Sequence, residues 1–393
     1  MGLNIYGYVN NSGIGTHTKY FTSALSNYYP NITLVPCDWN LDMSPEESQV
    51  LTPLIKNIDS IDLNDPYIIL NMPHYMLYGS GNPRIGYPVF ETSELKPSQI
   101  NVLKQMNYLF VTSAWAKMTA MKNLAAVDYS GDRIFVIPEG VDMTMFNREV
   151  KRHKFYLDDD KFTFLSVGKF EMRKSPQEIL TAFTETFRSN SNVRLMTHWW
   201  TGLMPNWIQV ADKMIRELGY NRVENEPTVA IAEQPSTHRY QIPNGCEVVL
   251  NLKRFATKGE LAQFYRCGDV GVYPSRGEGW NLPLIESMAC GLPCIVGLWT
   301  SHTEFVTEES SFALNVDTDA RKVVADDGWF FKGDMGYWYE PKVSAIADAM
   351  GTAYNDEKRR KKVAEESYKM AQKFTWDNAG EKASSILYNI FEE

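Results

Sequence analysis

The strongest constraint on this chain is an alternation of strand and helix signals that stops near residue 137 and starts again near residue 162. The first series of predicted strands covers Leu3–Val9, Ile32–Pro36, Tyr67–Leu70, Asn107–Thr112 and Ile134–Ile137. The second covers Phe162–Val167, Val193–Met196, Glu247–Asn251, Val270–Tyr273 and Pro293–Val296. Helical patterns between the strands indicate parallel sheets with covering helices. The chain is therefore predicted to be an α/β protein of two Rossmann-like parallel-sheet domains that face each other across a cleft.

The polar stretch Pro138–Asp160 has no clear period, and we interpret it as the linker between the domains. The predicted boundaries are an N-terminal domain over 1–150, a C-terminal domain over 151–375, and a last helix over 376–393 that packs back on the N-terminal domain. Two domains also agree with the length of 393 residues, which is large for one hydrophobic core.

Charge and cysteine content exclude several classes of protein. The net charge of −9 argues against general nucleic-acid binding, which usually needs a basic surface. The five cysteines form no CxxC pair, so no zinc site is expected, and reduced thiols fit a cytoplasmic protein. No apolar run has the length of a membrane span, and no signal peptide opens the sequence. The acidic triplet Asp158–Asp160 could suggest a metal site, but we interpret it as a solvated turn.

A glycine turn follows the first predicted strand. Gly13 and Gly15 would let a ligand approach the backbone closely, and the N-terminus of the following helix favours an anion. The third glycine of the dinucleotide fingerprint is absent, because Thr18 occupies its place. Asp38 nevertheless follows the second strand, where a dinucleotide-binding protein places its ribose acid. An NAD-dependent oxidoreductase therefore stays open as an alternative.

Three cations follow the strand Phe162–Val167, namely Lys169, Arg173 and Lys174. They precede a predicted helix, where Ser175 and Glu178 form a capping box. In an acidic protein, cations beside a helix N-terminus are the natural place for a diphosphate.

Two glutamates flank the start of another helix. The strand Val270–Tyr273 ends in a glycine-flanked loop that carries Glu278, and Glu286 lies early in the helix that begins near Leu282. Helical side chains lean toward the N-terminus, so both carboxylates are predicted to face the cleft at the carboxyl end of the strand. A pair of acids suits a polyhydroxylated ligand, since each carboxylate accepts more than one hydroxyl hydrogen bond.

Glu278 and Glu286 form an E-x7-E motif, and the run from it to Pro293 resembles retaining GT-B transferases of glycosyltransferase family 4, also called glycosyl transferases group 1. Further stretches that resemble this family are Val136–Asp142 with Phe146, Val167–Lys169 with Arg173 and Lys174, Leu261–Tyr265 with Asp269 and Val270, and Phe90–Thr92 with Leu95. The resemblance covers most of the chain and is weakest over 40–65 and 197–246.

The resemblance implies the GT-B fold and transfer of a hexose from a GDP- or UDP-linked sugar to an acceptor hydroxyl of a glycan or glycoconjugate. It further implies retention of configuration and no metal. By position, Glu286 would bind the donor ribose, Glu278 would lie beside the transferred sugar, and three cations would neutralise the diphosphate: Lys169, Arg173 and Lys174. The other donor-binding candidates are Gly13, Gly15, Gly279, Trp280, Asn281, Leu282 and Arg254, of which Arg254 lies in a loop that could select the base.

The sequence departs from the family at two places. Many members carry histidine where this chain has Glu91, while His74 lies in a different loop, so either side chain could contact the reacting hydroxyl. Glu139 is an acid where asparagine is commoner. A catalytically silent sugar- or nucleotide-binding protein of the same fold also stays open as an alternative. The sequence gives no indication of oligomeric state.

Overall fold

The computed structural model describes residues 2–151, 160–202, 204–223, 237–252, 254–255, 257–328, 330–333 and 335–392. Asp158 and Asp159 of the acidic triplet, and Lys253 beside Arg254, lie outside these residues.

The N-terminal half forms a six-stranded parallel sheet. Its strands are β1 Leu3–Gly7, β2 Ile32–Pro36, β3 Tyr67–Asn71, β4 Arg84–Pro88, β5 Tyr108–Val111 and β6 Ile134–Val136. They lie in the order β2-β1-β3-β4-β5-β6, and every pairing is parallel. The first three strands are buried along their whole length, as expected for a parallel sheet with both faces covered.

The C-terminal half forms an eight-stranded sheet. Its strands are β7 Phe162–Val167, β8 Val193–His198, β9 Asn221–Arg222, β10 Thr237–Gln241, β11 Glu247–Asn251, β12 Val270–Tyr273, β13 Cys294–Leu298 and β14 Phe312–Asn315. The order is β14-β13-β12-β7-β8-β11-β10-β9, with antiparallel pairing only where β10 meets β9 and β11. A separate antiparallel hairpin consists of β15 Ala320–Val324 and β16 Tyr337–Pro341.

Helices cover both sheets. They are α1 Gly13–Leu25, α2 Pro45–Leu51, α3 Pro97–Leu103, α4 Ala114–Leu124, α5 Pro176–Phe187, α6 Trp207–Glu217, α7 Lys258–Tyr265, α8 Leu282–Ala289, α9 Val316–Asp319, α10 Val343–Asn355, α11 Glu357–Ala371 and α12 Trp376–Glu392. Helix α12 packs its apolar side, including Leu387, on α1 and the core of the N-terminal sheet. None of the helices in the described part of the chain has both the length and the apolar character needed to cross a bilayer.

The predicted fold class, α/β with two Rossmann-like parallel-sheet units, is confirmed. The sequence analysis missed β4, whose Gly86 and Pro88 favour a turn when considered locally. This strand exists because β3 and β5 pair with it on either side. The hairpin β15–β16 was also missed.

The predicted capping box at Ser175 and Glu178 is wrong. Ser175 adopts a left-handed conformation with φ of 58°, and its side chain makes no capping hydrogen bond to α5. Glu178 instead accepts a hydrogen bond from the guanidinium of Arg276 at 2.6 Å. The carboxylate of Glu178, which the local sequence would assign to the helix cap, therefore forms an ion pair with a residue distant in sequence.

Candidate active site

The site begins where two neighbouring strands of the C-terminal sheet end. Strand β7 leads into the short 3-10 helix Met172–Lys174, while the adjacent β12 leads into the loop that carries Glu278. Arg173 Nη1 lies 2.7 Å from one carboxylate oxygen of Glu278, and Lys174 Nζ lies 2.5 Å from the other. Because parallel strands end at the same edge of a sheet, two segments about a hundred residues apart in sequence meet in one cluster.

Arg173 is the centre of this charge cluster. Its Nη2 lies 2.8 Å from Glu91 of the N-terminal domain and 3.2 Å from Glu171, and its Nη1 donates to the carbonyl of Gly277 at 2.9 Å. Burial opposes ionisation of Glu278, but Arg173 and Lys174 outweigh it and hold the pKa of this carboxyl well below its usual range. Burial lowers the pKa of Lys174, and the attraction of Glu278 offsets this only in part.

The pKa of Glu91 shifts in the direction opposite to that of Glu278. Burial raises its pKa, the charge of Arg173 opposes the shift, and the nearby carboxylates of Glu278 and Glu171 add to it. Two carboxyl groups on the same guanidinium therefore differ in how readily they take a proton.

The glutamate loop is supported by the segment after β13, which the sequence analysis did not identify. The backbone N–H of Glu278 donates to Thr300 Oγ1 at 3.1 Å, and the N–H of Ser301 donates to the carbonyl of Glu278 at 3.3 Å. Asn281 lies 3.0 Å from Nε2 of His302 and accepts from Lys174 at 3.4 Å. The only sequence signal for these residues was their position at the end of a strand that neighbours β12.

Glu286 is buried in the second turn of α8 and faces a tyrosine and a lysine. Tyr265 Oη donates to its Oε2 at 2.7 Å, and Lys258 Nζ lies 3.5 Å from its Oε1. Both partners belong to α7. Lys258 adds a cation that the sequence analysis did not single out.

The side chains of Trp280 and Leu282 belong to the packing rather than to an open surface. The indole ring of Trp280 is buried against Phe305 and Phe374, and Leu282 packs on the cores of both domains. A ligand at this loop could therefore use the backbone of Trp280 but not its ring.

The N-terminal domain touches the glutamate loop directly. The hydroxyl of Thr112 donates to the carbonyl of Gly279. A Cβ added to Gly279 would lie 2.0 Å from Val89 Cγ1, so any larger residue would force one side of this contact to shift. The carbonyl of Glu91 accepts from Trp338 Nε1 of the hairpin at 2.7 Å. The cation–glutamate cluster therefore lies between the two domains.

The glycine turn lies at the start of α1. Ser12 Oγ accepts from the N–H of Gly15 at 3.1 Å and caps the helix, while a Cβ on Gly13 would meet no atom of the described part of the chain within 4 Å. Helix α1 also carries Tyr20, whose pKa is raised by burial and by nearby acids that include Glu286. The helix thus approaches the Glu286 end of the site from the N-terminal domain.

A buried acid–histidine pair lies behind this surface and was not predicted from the sequence. His17 Nδ1 is 3.4 Å from Glu139 Oε1, and both side chains are almost completely buried. His17 contacts the ring of Tyr87 at 4.4 Å between centroids. Among the residues that the structure describes, its Nε2 has no hydrogen-bond partner.

The remaining candidates lie farther out. Lys169 is about half exposed and lies 3.8 Å from Glu171. Arg254 is exposed and pairs with Asp42 of the N-terminal domain at 3.3 Å. His74 lines a cavity that Glu91 also borders, and burial lowers its pKa.

Comparison with solved structures shows the class of the fold. The chain superposes on an Anabaena protein, HepE, solved in complex with UDP and glucose, with a TM-score of 0.67 and 10% identity over 99% of this chain and 100% of that one. A glycosyltransferase from Rickettsia africae gives a TM-score of 0.68 and 11% identity over 100% and 99%. The protein has the GT-B fold of glycosyltransferases.

Sequence comparison then shows which known proteins part of the chain resembles. Residues 232–356 match the family model described as Glycosyl transferases group 1. A D-inositol 3-phosphate glycosyltransferase of Segniliparus rotundus is 28% identical over 42% of this chain and 32% of its own length. A protein of the same name from Xylanimonas cellulosilytica is 24% identical over 63% and 49%. The matches thus span half or less of these relatives, and the resemblance to a GT-B protein of glycosyl transferases group 1 is confirmed.

Proposed function

We propose that this protein is a retaining glycosyltransferase that moves a hexose from a UDP- or GDP-linked sugar to an acceptor hydroxyl without a metal ion. The observation that carries the proposal is the meeting of Arg173 and Lys174 with Glu278 between two Rossmann-like domains. The family match over 232–356, the glycosyltransferase names of the relatives, and the UDP and glucose bound to the Anabaena protein support it.

The chemistry requires positive charge at the leaving group. The acceptor oxygen forms a bond to the anomeric carbon while the bond from that carbon to the diphosphate oxygen breaks. The departing nucleoside diphosphate gains negative charge and takes the acceptor proton. Arg173 and Lys174, held in place by protein contacts, would stabilise this charge more in the transition state than in the ground state. They would supply the positive charge that a metal supplies in other transferases.

Glu278 is proposed to interact with both the diphosphate and the sugar of the donor. It accepts from both cations, so diphosphate oxygens would compete with its carboxylate for the same donors. Moving a cation from carboxylate to phosphate would free Glu278 to accept hydrogen bonds from the sugar hydroxyls. Glu286 lies farther along α8 and accepts a hydrogen bond from Tyr265. We propose that its carboxylate also accepts hydrogen bonds from the ribose hydroxyls of the donor.

The acceptor is proposed to enter from the N-terminal domain. Glu91 and His74 both line the cavity on that side, and Glu91 in addition contacts Arg173. We therefore favour Glu91 as the side chain that contacts the reacting hydroxyl. A role in glycan or glycoconjugate synthesis would follow from such an activity, and we propose the cytoplasm as its location.

The test of the function uses a panel of UDP- and GDP-hexoses. Binding of each donor is first screened by thermal shift, and release of nucleoside diphosphate is then measured with acceptor mixtures. We expect turnover with at least one donor, an unchanged rate in EDTA, and a product whose anomeric configuration matches the donor by NMR. Binding without release would instead favour a silent sugar- or nucleotide-binding protein. Binding of NAD in place of nucleotide-sugars would contradict the proposal.

Lys174→Ala tests the role of the cations in this reaction. We expect turnover to fall roughly 100- to 1,000-fold, because one preorganised charge at the leaving group is lost. Lys382→Ala, a change of the same kind on the exposed side of α12, should leave turnover unchanged. Wild-type rates in Lys174→Ala would remove this lysine from the site.

Glu286→Ala tests the proposed ribose contact. We expect weaker binding of the nucleoside diphosphate by calorimetry, since a buried acceptor for two hydroxyls is removed. An unchanged affinity would contradict that role.

The nicotinamide alternative is not favoured. The carboxylate of Asp38 accepts from the N–H of Asn40 within its own turn at 3.1 Å. The alternative also leaves the cation–glutamate cluster without a purpose.

A further inference from the structure

A cavity of about 340 Å³ lies beside the cation–glutamate cluster, between the N-terminal domain and the tip of the hairpin β15–β16. Phe330, Phe331 and Met335 of the hairpin line one side, and Met72 and Leu95 of the N-terminal domain line the other. Its volume falls within the range of small-molecule sites in proteins, and apolar side chains predominate in its wall.

The cavity shares one residue with the proposed site of reaction. Glu91 is one of its lining residues, and the same carboxylate lies 2.8 Å from Arg173. A molecule in the cavity that reaches Glu91 would therefore present its polar end to the group that contacts the proposed diphosphate site.

The hairpin wall is held in place by hydrogen bonds between the hairpin and the N-terminal domain. The N–H of Glu94 donates to the carbonyl of Met335 at 3.2 Å, and the N–H of Tyr337 donates to Ser93 Oγ at 2.9 Å. Phe331 packs on the ring of Trp338 at 5.1 Å between centroids. The cavity is thus a built feature to which both domains contribute.

The geometry points to an acceptor that carries an alkyl or aryl group, which fills this cavity while its hydroxyl-bearing part faces Glu91. Phe330 contacts Phe331 at the rim and is still 47% exposed, so an apolar group that covered it would remove apolar surface from water. A wholly hydroxylated acceptor would instead lose hydration against this wall. That the bound molecule is an acceptor rests on the proposed function, but its binding to the cavity can be measured without turnover.

The test compares two glucosides that differ only in their apolar group. Octyl β-glucoside, kept below its micelle concentration, and methyl β-glucoside are titrated into the full chain by calorimetry. We expect the octyl compound to bind at least about tenfold more tightly, because its chain is removed from water. Equal affinities would overturn the inference.

Phe330→Ser and Val324→Ser form a matched pair of variants. Both remove an exposed apolar side chain from the same hairpin, but only Phe330 lines the cavity. We expect Phe330→Ser to weaken octyl glucoside binding about three- to tenfold and Val324→Ser to leave it unchanged. Equal effects of the two variants would overturn the inference.

Titration with UDP and GDP separates this inference from the proposed function. Both variants should bind nucleotide as the wild type does. Octyl glucoside binding that depends on Phe330, in a chain that binds and cleaves no nucleotide-sugar, would support the apolar site and contradict the transferase.

Discussion

At the scale of single residues, Glu139 is an acid buried away from water. It is 4% exposed, and burial, followed by the charges of Glu91 and Glu278, raises its pKa to about 8. Burial lowers the pKa of its neighbour His17 to about 3. At neutral pH both groups are therefore uncharged, and the proton lies on the acid. A neutral Glu139 adds no further negative charge behind the cluster of Glu91, Glu171 and Glu278.

Glu139→Gln should reveal this proton through the pH dependence of stability. The unfolded chain ionises Glu139 above its ordinary pKa of 4.5, while the folded protein keeps the proton until about pH 8. The wild type therefore loses free energy of unfolding as the pH rises through this window, at up to about 1.4 kcal/mol per pH unit. Glutamine does not titrate, so the variant's stability relative to wild type should increase from pH 5 to pH 8.

Urea denaturation of both proteins at pH 5, 6.5 and 8 measures this difference. Glu149→Gln, at a surface position of the linker, provides the control and should show no such trend. A difference that stays constant with pH would mean that Glu139 is ionised in the folded protein.

At the scale of secondary-structure elements, Arg276 ties three segments to the glutamate loop. Its Nη2 pairs with Glu178 of α5 at 2.6 Å and with Glu340 of β16 at 3.0 Å. Its backbone N–H donates to the carbonyl of Arg173 at 2.7 Å, and its carbonyl accepts from Tyr339 at 3.0 Å. The hairpin, α5 and the 3-10 helix Met172–Lys174 are thus joined to the glutamate loop through one residue.

Arg276→Gln should lower the free energy of unfolding by about 3 kcal/mol, because it takes the paired cation from the largely buried carboxylate of Glu178 and leaves Glu340 paired with the exposed Arg321. Arg321→Gln is the matched control, since Arg321 also pairs with Glu340 but is 72% exposed. Its loss should cost less than about 1 kcal/mol. Urea denaturation compares the two, and similar costs would contradict the view that Arg276 anchors the hairpin.

At the scale of the whole molecule, the two domains meet at the loop that carries Glu278. Gly279 lies against Val89, Thr112 donates to its carbonyl, and the hairpin binds the backbone of Glu91. The proposed donor site belongs to the C-terminal domain and the proposed acceptor side to the N-terminal one. A small change in the relative position of the two domains should therefore lower the rate of sugar transfer more than the affinity for nucleotide.

Gly279→Ala tests this dependence. The added Cβ would lie 2.0 Å from Val89 Cγ1 and 2.9 Å from the carbonyl oxygen of Phe90, so one side of this contact between the domains must shift. We expect turnover to fall about 100-fold while the affinity for nucleoside diphosphate changes little. Val89→Ala in the same chain should restore part of the activity by removing the clashing methyl group.

Gly351→Ala is the control for this substitution. Gly351 lies within α10, and a Cβ there would come no closer than 3.9 Å to a neighbour, so turnover should be unchanged. Stability should rise slightly, as expected for glycine to alanine inside a helix. Wild-type turnover in Gly279→Ala would show that the contact with Val89 does not set the geometry of transfer.

Much of this architecture could be predicted because parallel sheets follow local rules. The strand–helix alternation gave two domains, and Lys169, Arg173 and Lys174 were placed at a strand end, as were Glu278 and Glu286. Once two strands are parallel neighbours, residues that follow them must come together. The contact of Arg173 with Glu278 is a consequence of that rule.

The sequence by itself therefore determined the class of fold and that Arg173, Lys174 and Glu278 follow strand ends, since strand periodicity and strand ends are local properties. Only the tertiary structure decided which charged side chains pair with one another. Glu178 bonds Arg276 instead of capping its helix, and Glu139 is buried against His17. Burial and the choice among competing ionic partners depend on chain segments far apart in sequence, and no local pattern of residues encodes them.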